Sequence, residues 1–378
     1  MLLYPLYALL FASAGLSTAE ISSLFAIWSG TAFLLEVPSG IWADAVSRRL
    51  PLTIAPLLSG AGFAIWVLAP SYPTFALGFV LWGAHGALQS GALEALVYEE
   101  LDHAGAASRY AEVMGRATAL ATIAVGAAMG LATPVFAAGG FEAVGAASVI
   151  ACLAAAAVGA TFPEHRTATS VSDTLGMRAH VVMLGAGLQG LRDSPRLRRA
   201  LLVVPAVTAV WGSLEEYVPL LALETGVDRA TVPLLALLVT AAMALGGMLA
   251  GRASALSAQG FALALAGAAL ALALGSLSLV PTGFILVAVA FAAFQALTVV
   301  ADARLQDAIE GPARSTVTSL AGLLTEVAVL AVFAAYAAGS AFAGHATLFA
   351  AAAAAYVIVA AALARRPASQ RRREPSLR

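Results

Sequence analysis

Long apolar runs alternate with short polar segments along the 378 residues of the chain. Many of these runs reach the roughly 20 residues that a helix needs to cross a bilayer. Most of them lack the polar face that a soluble helix shows to water. The pattern therefore predicts an all-α membrane protein. We place twelve membrane spans at about 1–16, 20–43, 51–69, 72–98, 111–132, 134–161, 199–222, 230–251, 258–278, 282–303, 315–339 and 344–364.

The composition agrees with a membrane protein and orients it. The chain is 61% hydrophobic and 11% charged, whereas a soluble domain carries about 25% charged residues. All 20 basic residues are arginines, and with twelve spans every one except Arg229 falls on the same side. Loops rich in arginine stay in the cytoplasm. The sequence therefore predicts that both termini are cytoplasmic. The net charge of −1 gives no reason to expect nucleic-acid binding.

One polar segment in the middle of the chain divides the spans six to six. It carries Leu184, Leu188 and Leu191 on one helical face, which predicts an amphipathic helix along the cytoplasmic membrane surface. The arginine-rich end of the chain suits anionic lipid head groups. The predicted domains are a six-helix bundle at 1–162, a cytoplasmic linker with the amphipathic helix at 163–198, a second six-helix bundle at 199–366 and a disordered basic tail at 367–378.

A short charged turn between the second and third spans carries the most specific motif. Gly40, Asp44, Arg48 and Arg49 form the pattern G-x-x-x-D-x-x-x-R-R. A weaker copy, Gly247–Arg252, lies between the eighth and ninth spans and has glycine in place of the acid. Its position matches a duplication of six spans.

These features resemble the major facilitator superfamily, and the wording EVPSG-x-x-AD before the turn is similar to drug-exporter-like bacterial members. The resemblance implies two pseudo-symmetric six-helix bundles that alternate in exposing a central cavity, in the inner (plasma) membrane of a bacterium. Two positions differ from the exporter pattern. Trp82 stands where exporters often have an arginine, and no proline directly follows Gly130.

In this family the charged turn acts as a cytoplasmic latch. The resemblance implies that Asp44 faces the start of the eleventh span, near Ser315–Thr318, and that Arg48 pairs with an acid, Glu99 or Glu100. A carboxylate near a helix N-terminus is favourable, and such a contact would break when the bundles part. The alternative is that these charges only set the membrane topology.

Ionisable groups inside membrane spans are costly, and they are the first candidates for function. Two adjacent acids of the seventh span lie between Pro205 and Pro219, which predicts a bent helix. An interior with acids and no arginine suits protons and cationic or neutral substrates. The alternatives are acids near the surface and fixed hydrogen bonds between helices. The candidates for proton coupling are His85, Glu36, Glu94, Glu215, Glu216 and Glu326.

In this family the first, fourth, seventh and tenth spans line the cavity. Trp82, His85 and Gln89 share one face of the fourth span because they are three and four residues apart. The alternative is that these aromatic side chains only pack and that the histidine is structural. The candidates for the substrate cavity are Tyr7, Trp82, His85, Gln89, Trp211, Glu215, Phe294 and Gln295.

The sequence therefore predicts a secondary active transporter, with proton-coupled efflux of amphipathic or cationic compounds as the first interpretation. A substrate-specific importer or facilitator of the same fold is the second. A membrane sensor or scaffold that transports nothing is the third. No metal cluster, nucleophile motif or nucleotide-binding loop is present in the sequence, which argues against an enzyme, a metal site or a cofactor. We expect a monomer whose partners are a small-molecule substrate, protons and membrane lipids.

Overall fold

The computed structural model describes residues 1–165, 194–309 and 314–364. The side chains at 37, 41, 43–45 and 314–316 are not described. The predicted amphipathic helix of the linker and the basic tail lie outside these ranges. Within them the chain is helical, and no strand occurs among the described residues.

The first half of the chain begins with a 3-10 turn at Tyr4–Leu6. Its α-helices are α1 (Tyr7–Ser13), α2 (Thr18–Ala45), α3 (Arg49–Leu68), α4 (Tyr72–Gln89), α5 (Ala92–His103) and α6 (Tyr110–Ala160). The helices of the second half are α7 (Pro195–Glu215), α8 (Val218–Glu224), α9 (Val232–Ala253), α10 (Ala258–Leu277), α11 (Phe284–Ala308), α12 (Arg314–Gly339) and α13 (His345–Ala364).

Local sequence sets the ends of several helices. Ser17 and Glu20 form a capping box at the start of α2, in which the Glu20 carboxylate accepts the Ser17 N–H at 2.8 Å. At the start of α10 the Ser257 hydroxyl accepts the Gly260 N–H at 3.1 Å. Both serines satisfy backbone donors that a helix leaves open in its first turn.

Two breaks differ from the predicted spans. The fourth span is divided into α4 and α5 at Gly91, whose φ of +72° suits glycine. The boundary between the fifth and sixth spans lies at Gly139–Gly140, inside α6, where Gly140 has a φ of +60°. The predicted boundary near Pro134 was therefore a few residues too early. Pro134 remains inside a helix, and the glycine pair makes the turn because it accepts backbone angles that other residues avoid.

The seventh span is interrupted, as its prolines predicted. Helix α7 ends at Glu215, and α8 starts at Val218 with Pro219 in its first turn, where a missing N–H costs no hydrogen bond. Glu216 and Tyr217 form the joint between the two helices, and both are buried. The interruption thus places an acidic pair next to a break in the backbone ladder.

Nine helices among the described residues are long and apolar enough to cross a membrane. One of them, Ala107–Ala160, contains the glycine break and has the length of two spans. Tyr4–Ser13 forms a shorter apolar helix at the start. These segments are consistent with the twelve predicted spans.

The chain forms two compact units. The first contains the described residues within Met1–Leu175, Val227–Leu237 and Leu330–Phe342, and the second contains those within Gly176–Gly226, Leu238–Val329 and Ala343–Arg378. In the first unit α3 packs against α4 and α6, and in the second α10 packs against α11 and α13. The third and ninth spans thus have equivalent neighbours, as a duplicated bundle requires.

Candidate functional site

The charged turn of the first unit, Val46–Arg48, joins α2 to α3, and a carboxylate from outside the turn holds it. The Glu164 side chain accepts the Ser47 hydroxyl and the Arg48 N–H, each at 2.7 Å. The Ser47 hydroxyl oxygen in turn accepts the Leu50 N–H at 3.0 Å. Glu164 therefore caps the N-terminus of α3, where the helix dipole favours a negative charge.

The environment of Glu164 favours its charged form. Partial burial alone would raise the pKa of this carboxyl, but the hydrogen bonds from Ser47 and from the backbone at Arg48 and Arg49, together with the Arg49 charge, outweigh it. The pKa of Glu164 is therefore lower than its ordinary value. The turn is held by a group that stays ionised at neutral pH.

The two acids proposed as partners of Arg48 have separate contacts in the structure. Arg48 Nη1 lies 2.6 Å from Glu99 Oε1. Glu100 accepts the His165 backbone N–H at 2.6 Å and lies 2.8 Å from Nδ1 of the same residue. The His165 ring stacks on His103 with the ring centroids 4.4 Å apart.

The pKa of Glu100 is also lower than its ordinary value. Burial would raise the pKa, but the hydrogen bonds from the His165 backbone and ring and the charges of the two histidines lower it by more. Neighbouring acids at the end of α5 thus hold two different parts of the chain, the turn and the segment that follows α6. Among the other motif residues, Gly40 is partly buried in α2 and Arg49 is exposed. The Asp44 side chain and its predicted contact near Ser315 lie outside the described side chains.

The aromatic residues predicted in the first and fourth spans lie in one packed cluster. Trp82 contacts Tyr7 at 5.7 Å and Trp28 at 5.5 Å between ring centroids, and Tyr7 is almost completely buried. The aromatic cluster, as we call it, consists of Tyr7, Phe11, Phe25, Trp28, Phe63, Trp66, Phe75, Phe79 and Trp82. Much of the predicted binding surface in this unit is therefore engaged in packing.

His85 and Gln89 continue the predicted face of the fourth span one and two turns beyond Trp82. The buried Nδ1 of the His85 ring has no hydrogen-bond partner among the described residues. The Ser59 hydroxyl of α3 is likewise buried and without a partner there. Gln89 is partly buried. These two buried polar groups are features of the first unit that packing alone does not explain.

The predicted acids of the spans have different degrees of exposure. Glu216 is 8% exposed, and no ion pair between described residues includes it. Glu215 and Glu326 are partly buried, while Glu36 and Glu94 are exposed. Only Glu216 has the buried position that distinguishes a functional acid in a span from a solvated one.

A network of hydrogen bonds surrounds Trp211 in the second unit. Its indole Nε1–H donates to the Thr298 hydroxyl at 3.1 Å, and its backbone N–H donates to the Tyr356 hydroxyl at 2.8 Å. Phe294 stacks on Tyr356 with the centroids 4.4 Å apart. The network joins α7, α11 and α13, and it includes the predicted residues Trp211 and Phe294. Gln295, also predicted, is partly buried on α11.

Several of these contacts could not be selected from the sequence. Glu164 follows a proline at the end of the sixth span, and Tyr356 lies in an alanine-rich run. Glu224 accepts the N–H groups of His345 and Ala346 at 2.7 and 2.8 Å and so caps α13. The available signal was an acid just outside an apolar run, which is where a helix N-terminus seeks a partner.

The fold and these sites define a helical membrane protein with the architecture of secondary transporters. Residues 1–324 match the model of the Major Facilitator Superfamily, and the chain belongs to this family. It is similar in structure to the nucleoside transporter NupG, with a TM-score of 0.73, 12% identity and coverage of 93% of this chain and 91% of that chain. It is also similar to a D-xylose–proton symporter, with a TM-score of 0.68, 14% identity and coverage of 93% and 89%.

A third similar structure is a bacterial homologue of the human lysosomal transporter Spinster, with a TM-score of 0.67, 14% identity and coverage of 96% of this chain and 92% of that chain. No curated protein matches the chain by sequence. At these identities the similar structures show the fold, and the chain is a multi-pass membrane protein of a transporter family.

Proposed function

We propose that this protein exports amphipathic or cationic compounds by alternating access and that proton entry drives the export. The observation that carries the proposal is the position of Glu216, a buried acid at the joint between α7 and α8. We further propose that the protein acts as a monomer in the inner membrane of a bacterium, with both termini in the cytoplasm.

The chemistry of Glu216 supports proton coupling. A carboxylate buried without a countercharge is costly, and taking up a proton removes that cost. No described ion pair holds Glu216 in its charged form. Because the residue follows an interrupted helix, a change in the bend of the seventh span would move it between environments. A group of this kind can gain a proton in one state and lose it in the other.

Two features support amphipathic or cationic substrates. The acids Glu215, Glu216 and Glu326 are not matched by arginines at comparable depth in the spans, so the interior favours positive charge. Trp82 belongs to the aromatic cluster but is only partly buried, and aromatic faces attract both apolar groups and cations.

For the charged turn we propose a gating role. The pair Arg48–Glu99 is a short contact between the turn and the end of the fourth span. Partly exposed pairs contribute little free energy, so the contact can form and break within a transport cycle.

The test uses inverted membrane vesicles with an energised pH gradient. We expect a set of lipophilic cations to contain compounds that dissipate the gradient, and we expect Glu216→Gln to abolish this effect while the protein remains in the membrane. Glu142→Gln is the matched control, because Glu142 is an exposed acid beyond the glycine break of α6. Transport with an unchanged pH dependence after joint neutralisation of Glu215, Glu216 and Glu326 would contradict the coupling mechanism.

The same experiment separates the other functions. The similarity to a D-xylose–proton symporter favours proton-coupled uptake as the second candidate, since that protein shares the fold. Uptake predicts substrate accumulation in right-side-out vesicles under an inward proton gradient. A sensor or scaffold predicts no flux with any compound.

A further inference from the structure

The Tyr356 hydroxyl, from α13, forms hydrogen bonds with two backbone groups of α7. It accepts the Trp211 backbone N–H at 2.8 Å and donates to the Val207 carbonyl at 2.7 Å. These two backbone groups are four residues apart, so they are the donor and acceptor of one rung of the helical ladder. A side chain of the last described helix thus bridges a rung of the seventh span.

A group inserted in the ladder is one of the few causes of a local bend in a helix. The bridged rung lies between Pro205, which lacks an N–H, and the joint after Glu215. Three features that can bend a helix therefore follow one another along the seventh span. Of these, only the bridge depends on a side chain from another helix.

Packing fixes the bridging hydroxyl in place. Tyr356 is fully buried, and its ring stacks on Phe294 of α11 at an angle of 24°. The Trp211 indole is held separately by Thr298, also on α11. The segment 207–211 is thus held through its backbone by Tyr356 and through the Trp211 side chain by Thr298. It directly precedes the acidic pair, Glu215 and Glu216.

We propose that Tyr356 is a positioning residue, whose hydroxyl sets the bend of α7 and thereby the placement of Glu215 and Glu216. Glu215 lies one helical turn after Trp211, so a change at the bridged rung reorients the acids that follow it. The part of this inference that concerns proton coupling rests on the proposed function. The part that concerns the bend does not.

The bend is tested with Tyr356→Phe, which removes the hydroxyl and keeps the stacked ring. The chain has five tryptophans, of which Trp211 alone lies in the second half, so ¹⁵N-tryptophan labelling gives one reporter and four internal controls. We expect the Trp211 amide signal to shift and to exchange with solvent about twofold to tenfold faster, the range expected for loss of a hydrogen bond. A Trp211 signal unchanged in position and exchange rate would overturn the proposal.

The link to the acids is tested by the pH profile of transport. Tyr356→Phe should move the midpoint of this profile without reducing the amount of folded protein. Tyr336→Phe, which removes a buried hydroxyl in the first unit, should leave it unchanged.

A shifted Trp211 signal with an unaltered transport profile, in a protein where Glu216→Gln does alter transport, would refute the positioning role and leave the proposed function intact. A protein in which Glu216→Gln has no effect would refute coupling through that acid. The amide measurement would still decide whether the hydroxyl holds the backbone of α7 at Trp211.

Discussion

The turns that follow the second and eighth spans occupy equivalent places in the two halves, but opposite charges hold them. The first, Val46–Arg48, supplies donors, and acids from elsewhere accept them: Glu164 takes the turn's hydroxyl and N–H, and Glu99 takes the Arg48 side chain. The second, Ser254–Ser257, supplies an acceptor. Arg304 of α11 donates to the Leu256 carbonyl and lies over the Phe261 ring, 4.9 Å from its centroid.

Because of this difference, the two turns should differ in their sensitivity to pH and salt. A carboxylate can be protonated, and an exposed ion pair is screened by salt. An arginine keeps its charge at all relevant pH values, and a carbonyl does not titrate. The contacts of the first turn can therefore weaken at low pH or high salt, whereas the contacts of the second turn do not depend on pH. The reversal of charge is consistent with a proposed gating role for the first turn alone.

Among the changes that test this comparison, removing the Glu164 cap should have the largest effect on stability. Glu164→Gln places an amide against the donors of Ser47 and Arg48, and it should lower the free energy of unfolding by about 1–2 kcal/mol at neutral pH. Reversible unfolding in sodium dodecyl sulfate measures this change. Glu142→Gln should cost much less, because that acid is exposed.

The effect of Glu164 should also depend on pH in a defined direction. Because its pKa in the folded protein is lower than the ordinary value, its contribution is complete above the ordinary pKa and disappears as the pH falls through the folded value. The stability difference between the wild type and Glu164→Gln should therefore shrink on acidification. A difference that grows with falling pH would contradict the capping role.

Removing the cation of the second turn should have an intermediate effect. Arg304→Met keeps most of the apolar stem but loses the hydrogen bond to Leu256 and the contact with the Phe261 ring. We expect a loss of about 1 kcal/mol that does not vary between pH 4 and pH 8. A strong pH dependence in this range, measured by the same unfolding experiment, would contradict the proposed difference between the two turns.

Breaking the exposed pair of the first turn should have the smallest effect on stability. Glu99 is 45% exposed, so Glu99→Gln should cost no more than about 0.5 kcal/mol, and less at high salt. Glu112→Gln is a suitable control, because the Glu112 side chain is about as exposed as that of Glu99 and also forms ion pairs, with Arg109 and Arg116. If the pair gates transport, Glu99→Gln should alter transport rate far more than the control does, despite this small cost in stability.

Much of the fold was accessible from the sequence because a membrane imposes a simple rule on composition. The apolar runs predicted the helical segments, and the turn at Arg48 lies where its charges indicated. Pro134 misled the boundary of the sixth span. A proline is tolerated inside a membrane helix, whereas the pair Gly139–Gly140 adopts non-helical angles.

The candidate site was less predictable because its contacts connect distant parts of the chain. Glu216 could be selected as an acid in an apolar run. Its burial, which Glu36 and Glu94 do not share, depends on neighbouring helices. Glu164 and the turn that it caps are more than 100 residues apart in sequence, and no local pattern records such a pair.

The cap on α13 has a consequence for biosynthesis. Glu224 is the last residue of α8, and its carboxylate accepts hydrogen bonds from the first N–H groups of α13. Gly344 leaves room for this carboxylate because it has no Cβ. A ribosome releases the seventh span long before α13, so Glu224 and the backbone of Trp211 gain these partners only after more than 100 further residues have been synthesised. Shortening the chain before His345 would thus remove the Glu224 contact and the Tyr356 bridge together, and the seventh span gains both contacts only after α13 has been synthesised.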